Sequence, residues 1–107
     1  MLKVLAISAL LLVAMAGLSI GDEIKVNQAN KTFDPGAVTI KSGDTIDFVN
    51  GDAIAHNVFT RGTPQDFSLG IMKPGDEKKA TFSTPGAYDV RCAIHPGMKM
   101  TVTVTEE

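Results

Sequence analysis

The chain of 107 residues is long enough for one domain and too short for two. Its 10 Lys and Arg against 12 Asp and Glu give a formal net charge of −2, with the charges scattered along the chain. Scattered charge of that size excludes a nucleic-acid-binding face, which needs clustered Lys and Arg. The single cysteine excludes a disulfide framework.

In chain order the first feature is apolar. Lys3 is followed by 18 uncharged residues, Val4 to Gly21, the order of a secretory signal: a positive start, an apolar run, then small residues. Ala14-Met15-Ala16 and Ser19-Ile20-Gly21 offer cleavage points, so residues 1–21 are expected to be a signal peptide removed after Ala16 or Gly21. A retained anchor is the alternative, because 18 residues is the lower edge of a spanning length. Gly17, Ser19 and Gly21 dilute the run and favour cleavage, and no cysteine stands near for a lipid anchor. The domain is then 22–107, with 9 basic residues against 12 acidic, net −3.

That domain is punctuated by turns: Asp34-Pro35-Gly36, Ser42-Gly43-Asp44, Asn50-Gly51-Asp52, Lys73-Pro74-Gly75-Asp76, Thr84-Pro85-Gly86 and His95-Pro96-Gly97. Pro presets φ and Gly accepts positive φ, so such clusters end strands. Between them apolar residues alternate with period two: Val38 and Ile40, Ile46 and Phe48, Ala80 and Phe82, Tyr88 and Val90, Val102 and Val104. Helical periodicity is absent after residue 22. The pattern predicts an all-β fold, an antiparallel two-sheet β-sandwich or barrel.

The stretch Cys92-Ala-Ile-His95-Pro-Gly-Met98-Lys-Met100 gathers the only cysteine, one of two histidines and two of five methionines. Extending the Tyr88–Val90 alternation turns Cys92 inward at a strand end, and Val104–Val102 run backwards turns Met100 inward. The loop between them belongs at one end of the sandwich. A buried thiol, a solvated histidine and a core methionine are each ordinary alone. An unpaired thiol in an exported protein is not, because it oxidises. Two imidazoles, one thiolate and a weak thioether are instead the donor set of an electron-transfer copper site, with His56 and His95 as the imidazoles, Cys92 as the thiolate and a methionine as the axial group. Structural zinc, iron–sulfur clusters and covalent haem all call for more cysteines than one.

At these residues the chain resembles the cupredoxins, and within them the amicyanin and plastocyanin-like group. The resemblance runs from Phe33-Asp34-Pro35 and Val38–Ile46, through His56-Asn57-Val58-Phe59, to Cys92-x-x-His95-Pro96-x-Met98. It implies a Greek-key sandwich with one Cu(I)/Cu(II) ion near one end. It also implies that Asn57 braces the cysteine loop, and that Met98, in the short loop, is the axial ligand with Met100 in reserve. By the same resemblance electrons leave through the ring edge of His95, within an apolar surface for which Pro96, Met98, Ala53, Ile54 and Ala55 are candidates. The expected protein is a non-enzymatic, monomeric, periplasmic or otherwise exported carrier. Its contacts with a redox partner such as a c-type cytochrome or a dehydrogenase are transient, and no nucleic acid or membrane insertion is involved. A copper-handling protein, buffering or delivering the metal, is the alternative. Asp52 and Asp89 are read as scattered surface acids.

Overall fold

A computed structural model describes residues 21–106; the apolar segment read as a signal peptide lies outside them except for Gly21. In chain order the strands are β1 (Glu23–Ala29), β2 (Thr32–Asp34), β3 (Ala37–Lys41), β4 (Asp44–Asn50), β5 (His56–Thr60), β6 (Ser68–Met72), β7 (Glu77–Phe82), β8 (Gly86–Arg91) and β9 (Lys99–Thr105). They form two sheets, ordered β2-β1-β4-β7 and β3-β9-β8-β5-β6. The all-β sandwich expected from the alternation is the observed fold. Among the described residues, no helix is long and apolar enough to cross a membrane.

Strand direction departs from expectation. β1 runs parallel to β4, from Glu23↔Thr45 to Gln28↔Asn50, and β3 runs parallel to β9, from Ala37↔Thr101 to Lys41↔Thr105. Both sheets are therefore mixed rather than antiparallel. The reason is that period-two alternation reports which face of a strand is buried, and carries nothing about a neighbour's direction. Here the chain leaves the first sheet after β2, contributes β3 to the second, and returns for β4 beside β1.

The alternating residues meet between the sheets. Ile46, Phe48, Phe82, Tyr88, Val90, Val102 and Val104 are all buried, with Val26 and Val58 beside them. Tyr88 and Phe82 pack edge to face at a centroid distance of 5.0 Å, and Phe67 meets Phe82 at 5.5 Å. Edge-to-face pairs of this kind add about 1 kcal/mol to the burial of the rings themselves. The Tyr88 hydroxyl donates to the Thr84 carbonyl at 2.6 Å, so the ring buries its polar tip with a partner.

The loop joining β5 to β6 is closed by one carboxylate. Asp66 accepts from the Gly62 and Thr63 amides at 3.1 and 2.9 Å, and from the Thr63 hydroxyl at 2.9 Å. Those bonds, the Thr63 amide first, hold its carboxyl below the usual range. Bonds made only to the ionised form stabilise the fold above the ordinary carboxylate pKa of about 4, and are lost as pH falls through the lowered folded-state value. Asp66→Asn is therefore expected to lower Tm near neutral pH and to flatten its fall below about pH 4, measured by thermal melts from pH 7 downward. A wild-type and variant pair with parallel pH profiles would contradict this.

Candidate metal centre

Three donors are brought together from two distant parts of the chain. His56 opens β5, and its backbone pairs with Met72 of β6. Cys92 follows β8 and continues the inward face of Tyr88 and Val90. β5 lies beside β8 through Phe59↔Arg91 and Thr60↔Val90, which carries His56 toward the end of β8. His95 arrives from the tight turn after Cys92, where the Met98 amide donates to the His95 carbonyl at 2.9 Å.

The donor atoms form a near-isosceles triangle. His56 Nδ1 and His95 Nδ1 lie 3.2 Å apart, and Cys92 Sγ lies 3.9 Å from each. The centre of a triangle with those edges is about 2.1 Å from every corner, the length of a metal–imidazole bond and close to that of a metal–thiolate bond. The residues therefore fit a metal ion without rearrangement. His56 and Cys92 are buried and His95 is half-buried.

Two hydrogen bonds aim the thiol. The Asn57 amide donates to Cys92 Sγ at 3.4 Å, and the Asn57 side-chain oxygen accepts from the Ala93 amide at 2.7 Å. Asn57 thus stands on both the histidine strand and the cysteine loop. Behind it the fully buried Gln28 donates from Nε2 to the Asn57 carbonyl at 3.4 Å. No sequence signal marks Gln28 beyond its place in an alternating strand.

Met98 and Met100 are both buried, and they share a face with Val102 and Val104. Their neighbours differ. The β8–β9 register pairs Val90 with Met100 and Arg91 with Lys99, and the Cys92 amide donates to the Met98 carbonyl at 3.2 Å. Met98 therefore lies directly across from Cys92 on the same face, while Met100 lies one pair deeper, opposite Val90.

Asp52 is the residue that sequence reasoning missed. Far from being a scattered surface acid, its Oδ2 accepts from His56 Nε2 at 2.7 Å. Its carboxyl is lowered to about 2, chiefly by the Lys31 amide and next by His56. Asp89 does match expectation, since it is an exposed acid paired with Arg91. Of the residues expected to form an apolar surface, Ala53, Ile54 and Pro96 are exposed, as is Ile94 beside His95; Met98 belongs to the interior instead, and Ala55 is half-buried.

Comparison with known proteins defines the class. The model of the copper binding proteins, plastocyanin/azurin family, matches residues 21–105. The chain belongs to that family, a cupredoxin of amicyanin and plastocyanin type, and its cofactor is copper. It is 43% identical to amicyanin from Paracoccus versutus over 70 residues, which cover 63% of this chain and about half, 53%, of that protein. A reduced amicyanin mutant superposes with a TM-score of 0.70 at 32% identity, covering 77% of this chain and 81% of that one. The copper-containing nitrite reductase from Thermus scotoductus SA-01 superposes with a TM-score of 0.74 at 28% identity, covering 79% of this chain but only 23% of the enzyme.

The brace makes a direct prediction. Asn57→Ala removes the acceptor of the Ala93 amide, and is expected to cost the metal-free protein about 1 kcal/mol. Chemical denaturation of the apoprotein measures it. An unchanged midpoint would mean that the cysteine loop holds its shape without Asn57.

Proposed function

We propose that this protein is a small exported electron carrier in which His56, Cys92 and His95 bind copper and Met98 is the weak axial ligand. The observation that carries the reading is the triangle of two Nδ1 atoms and one Sγ at 3.2, 3.9 and 3.9 Å, with Met98 across the strand pair from Cys92. Copper bound there supplies a one-electron couple between Cu(I) and Cu(II).

The chain's own residues make that couple useful. His56 and Cys92 are held by Asp52 and Asn57, which supports donor positions that change little with the charge at the site. Burial of His56, Cys92 and Met98 limits the access of water and small ligands to the site and argues against substrate chemistry there. It equally disfavours metal delivery, which needs an exchangeable site. Of the three donors His95 alone is partly exposed, and Ile94 and Pro96 beside it in the chain, with Ala53 and Ile54 before His56, are exposed as well. A small apolar surface of that kind fits brief docking of a redox partner, such as a cytochrome or a dehydrogenase, by a monomer. The apolar segment before residue 22 supports export, to the periplasm or an equivalent compartment.

Cys92→Ser is expected to abolish the intense thiolate-to-Cu(II) absorption and its loss on reduction, because a hydroxyl stays protonated and donates poorly. A serine variant that kept the band would remove the ligand assignment. A colourless copper adduct in the wild type would favour copper handling instead.

The two methionines separate by voltammetry. Met98→Leu is expected to raise the reduction potential by withdrawing a weak donor. Met100→Leu, a volume-conserving change in the core, should cost under about 1.5 kcal/mol and leave the potential in place. The opposite pattern would transfer the axial role to Met100.

A further inference from the structure

Asp52 joins a metal donor to a surface turn. Its Oδ2 accepts from His56 Nε2 at 2.7 Å and from the Lys31 amide at 3.0 Å, while Oδ1 accepts from the Asn30 amide at 2.9 Å. Its own amide donates to Asn50 Oδ1 at 2.9 Å, and the buried Asn50 side chain donates to the Ile54 and Met72 carbonyls, both at 2.9 Å. The carboxylate is thus fixed from both sides.

The turn it meets is unusual. Asn30 and Lys31 have φ of 53° and 57°, a left-handed pair closing the β1–β2 hairpin. A lysine in that region costs on the order of 1 kcal/mol. The conformation points two consecutive amides at one carboxylate, which recovers part of that cost through charge-assisted bonds.

The chemistry of the link is specific. A carboxylate only accepts, so the His56 proton sits on Nε2 and the lone pair sits on Nδ1, the atom that faces Cys92 and His95. The carboxylate also raises the electron density of the ring and sets a full negative charge on its far side. Both effects favour the more positive metal.

We propose that Asp52, anchored by the Asn30–Lys31 turn, is a positioning residue for His56 that selects Nδ1 as the donor and lowers the reduction potential of the copper. This rests on the ligand assignment made above, so the test has one arm that needs no metal. In the metal-free full-length domain, ring 15N shifts report the His56 tautomer. Wild type is expected to hold a single Nε2–H form, and Asp52→Ala a mixture.

In the copper-loaded protein, Asp52→Asn removes the charge with little change of shape. It is expected to favour Cu(I) over Cu(II) by about tenfold more than wild type, an upward shift of about 59 mV for one electron. Asp52→Glu should recover at least half of that shift, and Asp89→Asn, an equal charge change at an exposed acid, should give less than a third of it. A potential in Asp52→Asn no higher than in Asp89→Asn overturns the proposal, as does an unchanged tautomer in Asp52→Ala. If Asp52→Ala fails to fold, the isosteric Asp52→Asn decides through the potential. If wild type forms no coloured Cu(II) complex, the carrier reading fails, while the tautomer still judges the positioning role.

Discussion

The bond from the Ala93 amide to the Asn57 side chain, at 2.7 Å, is the contact on which the site depends. His56 and Cys92 are 36 residues apart, on strands whose regular pairing amounts to Phe59↔Arg91 and Thr60↔Val90. Beyond that point the β5–β8 ladder gives the cysteine loop no further tie to His56, and only the β9 side, through the Cys92 amide and the Met98 carbonyl, still holds it. Asn57 supplies the missing constraint from the residue next to His56, with its amide on Sγ and its side chain on the following backbone. The donor triangle follows from that junction, together with the tight turn that brings His95 back over Cys92.

Around the junction the fold divides labour between its two ends. Away from the site, packed aromatic rings and paired strands provide stability without touching the metal. At the site end, polar groups are buried only where they orient something. Asn50 ties the β4–β5 loop to β6, Asp52 holds His56, and Gln28 reaches the Asn57 carbonyl. The side-chain oxygen of Gln28 has no protein partner, and neither does one carboxylate oxygen of Asp47.

Some of this was legible in the sequence, and the limits have physical causes. Inward faces such as Tyr88–Val90–Cys92 could be read because a strand's side chains alternate strictly. The candidate donors could be picked out because the chain has one thiol and only two imidazoles. Strand direction could not, since β1 and β4 look the same whether parallel or antiparallel. Met98 and Met100 share parity, so alternation could not separate them; only the register that sets Lys99 opposite Arg91 gives them different neighbours. Asp52 escaped because its bond to His56 depends on the path of the Gly51–Ala55 loop and on a left-handed turn at Asn30–Lys31, neither of which follows a periodic pattern.

The protein presents its donors ready-made, so that little is expected to move when the charge on the metal changes. X-ray absorption at the copper edge, on the oxidised and reduced protein, tests this most directly. Two nitrogen donors at about 2.0 Å and one sulfur near 2.2 Å are expected in both states, with changes on the order of 0.1 Å or less. Loss of the short sulfur, a new oxygen neighbour, or a nitrogen that leaves on reduction at neutral pH would contradict it.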